Sequence, residues 1–481
     1  MPNNAQSIHI KKDILVRIAK AFFSADFKNE VNKIPVSMRP RGFEAPYRCC
    51  LHKERAIIRD RIIAFLGFSM EKDDEIKALS DYAAESLMRE KPDNEILTVL
   101  EDACRGCVPS KIYVTDLCKG CVARPCEKTC KFGAITVKDG KSHIDASKCR
   151  GCKMCISACP YNAIVKLAVP CEDACPVSAI AKNEKGLAVI NYDECISCGR
   201  CIAACPFGSI HEKSQIIDVM RKIKSDKKVI AMTAPAIAGQ FDCSFAKLKT
   251  AVLKCGFDEV IEVAQGADIT TKNEAAEFEE RMSAGAPFMT TSCCAAYNEL
   301  VKKHLPQLKP FVSETKTPLY YTAEPARKKN PDAVLVFISP CAAKRREVLD
   351  NPAIDYTLNT EELSALIEGR DIDINGCEES IIENPPSKQG RAYAVTGAVS
   401  GAVKHASKNP DIMKPHIISG LNKDAIKDLK QFAKNACCPG CNIIEVMACE
   451  GGCLGGSANI KNEKAAKKNI ENLLKSSSDL V

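Results

Sequence analysis

The first hundred residues repeat apolar side chains at helical spacing. In KERAIIRDRIIAFLG, Ile58, Ile62, Ile63 and Leu66 fall on one face, and Gly67 is placed to stop the helix. DDEIKALSDYAAESLMRE repeats the pattern with Ile76, Leu79, Ala83 and Leu87. Residues 1–100 therefore predict a small helical N-terminal domain, a packing or docking unit whose pattern carries no chemistry. From residue 213 onward, short apolar runs alternate with helical stretches. VIAMTA, EVIEVA, PFMTTS, AVLVFIS, AYAVTG and IIEVMAC each read as a buried strand. That alternation predicts an α/β domain over 213–481 with a largely parallel sheet.

The stretch between them, 101–212, holds sixteen of the 29 cysteines and reads as a third, α+β domain. A length of 481 residues accommodates this division, and 46% apolar with 27% charged residues suits ordinary globular cores. The N-terminus MPNNAQSIHIKKDILVRI lacks a signal-peptide core, and no run of 18 apolar residues offers a membrane span. A cytoplasmic address is expected, where dense cysteine means metal rather than cross-links. The odd cysteine count also speaks against a disulfide framework. The net charge of +7 is thinly spread. Runs such as KKDILVRIAK read as solvated helix faces rather than a nucleic-acid surface, although basic surface also suits an acidic redox partner.

Two runs follow the bacterial ferredoxin spacing C-x2-C-x2-C-x3-C-P: Cys149, Cys152, Cys155, Cys159 and Cys195, Cys198, Cys201, Cys205. A tight loop converges three thiolates on one cube, while the fourth cysteine is expected to open a helix and reach the neighbouring cube. A zinc ribbon has no use for four thiolates this close together. Cys118, Cys121, Cys126 and Cys130 form a stretched version of the same loop. Crossed pairing puts Cys118, Cys121 and Cys126 with Cys159, and Cys149, Cys152 and Cys155 with Cys130. Cys104 and Cys107 read as the head, and Cys171 and Cys175 as the tail, of a split run. Cys195, Cys198 and Cys201 then share a cluster with Cys175, and Cys104, Cys107 and Cys171 share the last with Cys205. The expectation is a ferredoxin-like domain with up to four 4Fe–4S clusters, an electron wire whose substrate lies downstream.

Three further cysteine motifs each follow an expected strand. They are Cys293-Cys294 after PFMTTS, Cys341 after AVLVFISP, and Cys449 with Cys453 after IIEVMA. Ligands collect beyond the carboxyl ends of strands in open α/β sheets. Cys294, Cys341, Cys449 and Cys453 could thus hold one more cube, and glycines around Cys453 let backbone approach something bulky. TSCC, PCAAK-x-x-E and E-x-MAC-x-GGC-x-GG resemble the three signature motifs of FeFe-hydrogenases, in the same order across the C-terminal half. The resemblance implies an H-cluster: the cube joined through Cys453 to a diiron subsite with carbonyl, cyanide and azadithiolate ligands. It implies that Cys293 exchanges protons with the bridge amine, that Lys344 holds a cyanide by a charge-assisted hydrogen bond, and that Met447 packs beside the diiron unit. It also implies a proton relay with Glu277, Ser313 and Glu274 next outward from Cys293 and Arg281 near the entrance. Glu274, Glu277 and Arg281 share one helical face, although NEAAEFEER alone would read as a solvated acidic helix.

The chain departs from the best-known members of that family. Ala295, Ala296 and Tyr297 follow TSCC, Ser339 precedes Pro340-Cys341, and Ala236 stands where a serine touches a cyanide. Such changes around a metal centre usually tune it rather than delete it. Together with the helical N-terminus they resemble a less studied monomeric subgroup. The implied activity is reversible interconversion of H2 with two protons and two electrons, passed through the 4Fe–4S clusters to a ferredoxin-like carrier. Maturation factors are implied for the diiron unit, and neither nucleic acid nor membrane insertion is expected. The proton couple at pH 7 lies near −0.41 V, seven units of about 59 mV each, and low-potential ferredoxin clusters lie at roughly −400 mV. The alternatives are a non-catalytic iron–sulfur assembly scaffold, a hydrogen sensor, or a polyferredoxin, the last of which would not need residues 213–481. Cys49, Cys50, Cys243, Cys255, Cys377, Cys437, Cys438 and Cys441 stay unassigned, mostly as inert core.

Overall fold

The computed structural model describes residues 5–44, 47–104, 107 and 111–481. The chain opens with α1 (Ala5–Phe23), α2 (Phe27–Met38), α3 (Leu51–Phe65) and α4 (Leu79–Met88). Asp26 caps α2 by accepting the Asn29 N–H. Ile58, Ile62 and Ile63 of α3 are buried as the pattern requires, each contributing on the order of 1.5–3 kcal/mol. The chain leaves α3 through Gly67 at φ +92°, where a β-carbon would collide with the Arg89 guanidinium that donates to the Gly67 carbonyl. The second helix starts later than its spacing suggests. Ile76 is 94% exposed, because the Asp74 carboxylate accepts the Ile76 N–H and turns the chain before α4 begins.

The cysteine-rich stretch is built from antiparallel pairs. Ile135–Lys138 pairs with Lys141–Ile144 inside a frame of Lys111–Val114 against Ile164–Leu167. Ile180–Lys182 pairs with Ala188–Ile190 inside Leu97–Val99 against Ile210–Glu212. The fourth cysteine of each run closes a one-turn helix instead of opening one: Cys130, Cys159, Cys175 and Cys205 are C-caps. A proline follows three of these four cysteines and bars helical geometry at the residue before it. Each C-cap sulfur accepts the backbone N–H four residues on, from Ala134, Ala163, Ala179 and Ser209 at 3.2–3.5 Å.

The C-terminal half holds two parallel sheets rather than one. The first has β1 (Val229–Thr233), β2 (Glu259–Glu262), β4 (Val334–Ile338) and β5 (Tyr356–Leu358) in the order β2-β1-β4-β5. The second has β3 (Met289–Thr290), β6 (Pro415–Ser419) and β7 (Ile443–Met447) in the order β3-β7-β6. All pairings within both are parallel. Strands β1, β4 and β7 are buried on both faces, which explains their near-continuous apolar runs. AYAVTG is not a strand. Ser387 caps a short helix, Lys388–Ala392, and the chain then turns through Gly397 at φ +84°. The helices that carry site residues are α5 (Ala264–Ser283), α6 (Ala295–His304) and α7 (Ala342–Leu349). A further helix, α8 (Thr360–Gly369), packs on α1, so the N-terminal helices share one apolar core with the first sheet.

Candidate active site

The site forms where the carboxyl ends of the two sheets face each other. From the second sheet, β3 delivers Cys293 and Cys294, and β7 delivers Met447, Cys449 and Cys453. From the first, β4 delivers Cys341 and Lys344. Cys293, Cys294, Cys341, Lys344, Met447 and Cys453 line one cavity of about 90 Å³, together with Ala236, Ser339 and Tyr393. Cys449 lies just behind it, close enough that Cys341, Cys294 and Cys453 all act on its thiol. Cys294 and Cys341 are the N-cap residues of α6 and α7, where the helix dipole favours a thiolate. The third motif turns through Gly451 and Gly452, both at positive φ. A β-carbon on Gly452 would sit 2.7 Å from the Ala394 carbonyl, and one on Gly456 2.6 Å from that of Pro340.

These sulfurs crowd one another out of water. Burial first, then Cys294, pushes the Cys453 thiol up to about 11; burial and neighbouring sulfurs also push up Cys341 and Cys449. Thiols buried this closely ionise together only around a cationic centre, which binds its ligands as thiolates. The donor set fits an iron–sulfur cluster. Among the described residues, no three His, Cys, Asp or Glu side chains close on a single metal ion.

Burial alone would lower the pKa of the enclosed Lys344. The Glu347 carboxylate, ion-paired with it, and the thiols of Cys341 and Cys293 outweigh that and hold the ammonium charged. Glu347 is itself fixed by the Thr317 hydroxyl at 2.5 Å.

From Cys293 a line of polar groups leads to the surface along α5. Glu274 is fully buried, and burial pushes it up to about 8 against the opposing pull of the Ser313 hydroxyl and the Ser292 backbone. After burial, its charge is the largest influence on Cys293. The Ser313 hydroxyl donates to Glu277 at 2.7 Å, as does that of Thr315, and Arg281 pairs with Glu277 at 2.7 Å. Glu277 is thereby held below its ordinary pKa, the burial that would raise it being outweighed by Thr315, the Glu314 N–H, Ser313 and Arg281. The order outward is Cys293, Glu274, Ser313, Glu277, Arg281. The expected order of the two glutamates is reversed.

Two residues escaped the sequence reading. Tyr393 lines the cavity and shares a hydrogen bond with Thr271 at 2.8 Å, hidden within the run misread as a strand. Glu445 is fully buried in β7, accepting from Gly397 N–H (2.7 Å), Ser400 N–H and the Ser400 hydroxyl (both 2.8 Å), which ties down the loop behind Cys453. A lone charge inside a buried strand was its visible signal.

The other cysteines gather as crossed sets. Cys118, Cys121, Cys126 and Cys159 line one small cavity, Cys130, Cys149, Cys152 and Cys155 a second, and Cys175, Cys195, Cys198 and Cys201 a third. Cys104, Cys107, Cys171 and Cys205 are mutual neighbours: after burial, Cys205 and Cys104 act on both Cys107 and Cys171. The Cys195 loop abuts the active site, since Cys198 acts on Cys449 and Arg200 lies 3.7 Å from Glu450. Of the unassigned cysteines, Cys255 and Cys377 are buried, Cys49, Cys50 and Cys437 are exposed, and Cys438 and Cys441 form a disulfide, against the expectation of metal sites without cross-links.

Paired parallel sheets closing on a cysteine-lined cavity, fed by ferredoxin-like modules, define an iron–sulfur oxidoreductase. Residues 227–457 match the model of the iron-only hydrogenase large subunit, C-terminal domain; residues 142–165 match a 4Fe-4S binding domain and 166–216 an LdpA Fe-S cluster-binding domain. The periplasmic Fe hydrogenase large subunit of Nitratidesulfovibrio vulgaris is 30% identical over 65% of this chain and 85% of its own. Iron hydrogenase 1 of Clostridium pasteurianum is 27% identical over 65% of this chain, which spans 64% of that relative's length. The NADP-reducing hydrogenase subunit HndD of Solidesulfovibrio fructosivorans is 26% identical over 72% of this chain and 64% of its own. A solved FeFe-hydrogenase structure from Chlamydomonas reinhardtii aligns with 54% of this chain and 88% of that one, at 19% identity and a TM-score of 0.44. The chain belongs to the iron-only hydrogenase large-subunit family.

Proposed function

We propose that the chain is a hydrogenase interconverting H2 with two protons and two electrons. The observation that carries this is the meeting of Cys293, Cys294, Cys341, Lys344 and Cys453 in one enclosed cavity, with Glu274 buried behind Cys293. In this reading Cys294, Cys341, Cys449 and Cys453 would hold a 4Fe–4S cube, with Cys453 and Met447 on the side of the diiron subsite. When bound, that group supplies the metal centre at which H2 is made or split. Lys344 anchors its anionic ligands, and Cys293 holds the exchangeable proton. Glu274, Ser313, Glu277 and Arg281 carry that proton to or from solvent. A carboxyl titrating at about 8 gives and takes protons at neutral pH.

The crossed cysteine sets would hold up to four accessory 4Fe–4S clusters, which would supply electron transfer to and from the catalytic site. The cluster on Cys195, Cys198, Cys201 and Cys175 is the one next to the catalytic cube, because its loop abuts Cys449. An external ferredoxin-like protein is the carrier, and maturation factors install the diiron unit. No helix among the described residues is long and apolar enough to cross a membrane. Anaerobic infrared spectra of the matured protein are expected to show carbonyl and cyanide bands. Absence of those bands, with a control hydrogenase matured alongside, overturns the proposal. Cys293→Ser is expected to lower H2 turnover by roughly 10²–10⁴-fold, the worth of a positioned proton donor; near-normal turnover would remove Cys293 from the relay.

A further inference from the structure

A roomy open cavity lies between the N-terminal helices and the end of the cysteine-rich stretch, lined by none of the residues at the strand tips. Its volume is about 400 Å³, within the range of small-molecule sites. Three guanidiniums, Arg39, Arg48 and Arg61, line it against one carboxylate, Glu54. Glu54 is taken by Arg39, whose Nε donates to it at 2.5 Å. No carboxylate among the described residues lies within ion-pair distance of Arg48 or Arg61; Asp60 and the Cys205 sulfur act on Arg61 only from further off, so neither guanidinium has a direct ion-pair partner.

Arg61 is only 4% exposed, yet its Nε has no hydrogen-bond partner, and the buried hydroxyl of Ser7 across the same cavity has none either. A buried guanidinium left unpaired is costly unless a ligand completes it. Arg48 rests over the Phe207 ring with 5.5 Å to the centroid, and Arg61 donates to the Phe207 carbonyl. An aliphatic part of the wall is formed by Ile10 of α1 with Ile57 and Ile58 of α3, next to the polar side chains of Gln6 and Tyr47. Uncompensated guanidiniums beside an aromatic face and an aliphatic floor recognise a small oxyanion carrying an apolar or planar body.

We propose that this cavity is a binding site for a small organic anion. Its phosphate or carboxylate lies between Arg48 and Arg61, and its body lies against Phe207 and the isoleucines. The proposal assigns a function to the N-terminal helices and is independent of the hydrogen chemistry. The test is calorimetric titration of the cluster-loaded full chain with adenosine 5′-monophosphate, benzoate and inorganic phosphate. At least one of the two organic anions is expected to bind saturably and more tightly than inorganic phosphate, and the tighter of them identifies the oxyanion. Arg61→Gln is expected to weaken that binding by about tenfold or more, equivalent to about 1.4 kcal/mol. Arg48→Gln, at a half-buried position, is expected to do the same and carries the test if Arg61→Gln fails to fold. No saturable binding of either organic anion, binding no tighter than that of inorganic phosphate, or affinity unchanged in the folded variants would each overturn the proposal.

Discussion

Glu274→Gln separates the relay's function from its cost. The carboxyl sits in a fully buried site, and burial raises its pKa from 4.5 to about 8 although Ser313 and the Ser292 backbone pull it down. The unfolded chain releases this proton above pH 4.5 while the folded chain keeps it until about 8. In that window the folded state binds more protons, so stability falls as pH rises, by about 1.4 kcal/mol per unit. The whole contribution is present below pH 4.5 and is lost by about pH 8, a span of about 5 kcal/mol at its upper limit. Glutamine has the same shape and no proton to lose. Thermal unfolding midpoints measured in parallel are therefore expected to diverge between pH 5 and 8, with Glu274→Gln increasingly the more stable protein. Turnover is expected to move the opposite way, down by roughly 10²–10⁴-fold, since an amide cannot relay a proton. A stability difference that stays flat across this pH range would refute the neutral buried carboxyl, and undiminished turnover would refute its place in the relay.

Lys344→Gln leaves Glu347 and Thr317 in place but removes the charge that would hold an anionic diiron ligand. Loss of a charge-assisted hydrogen bond, about 1.5–3 kcal/mol, is expected to weaken retention of that unit roughly tenfold to a hundredfold. Infrared band intensity per cube checks it. Gly452→Ala forces a β-carbon into a φ of +74°, 2.7 Å from the Ala394 carbonyl. The chain is expected to lose the irons of the catalytic site by iron analysis while the accessory clusters stay. Arg345, 1% exposed, donates at 2.6 Å to both Glu212 and Glu362. Arg345→Met strands two buried carboxylates and is expected to cost about 3–5 kcal/mol in denaturant unfolding.

Where the sequence was legible, one physical constraint wrote one pattern. Burial on both faces makes β1, β4 and β7 unbroken apolar runs, so cysteines just past them stood out as strand-tip residues. The crossed cysteine sets were readable because thiolate convergence fixes loop spacing. Strand β6 was not, since most of its side chains face solvent at a sheet edge. AYAVTG failed for the opposite reason: a buried turn between helices is as apolar as a strand, and periodicity cannot separate them over six residues. That the cysteines come from two sheets was likewise invisible, because strand pairing is a long-range choice.

The glutamate order was a different kind of miss. Helical spacing correctly put Glu274, Glu277 and Arg281 on one face, but it carries no direction. Direction follows once one end is anchored. Arg281 belongs at the entrance, and in the structure it donates to the surface-loop carbonyls of Pro310 and Val312. A straight helix rises about 1.5 Å per residue, so the residue seven positions before Arg281 lies about 10 Å deeper. Glu274 therefore had to be the inner carboxylate and Glu277 the outer one. Depth in turn sets their chemistry: the inner group, cut off from water, is held neutral near pH 7, while the outer one, bound by Arg281 and hydroxyls, is held ionised. In the proposed relay that gradient favours inward transfer, from the weaker holder Glu277 to the stronger holder Glu274, and makes outward release the step that costs free energy.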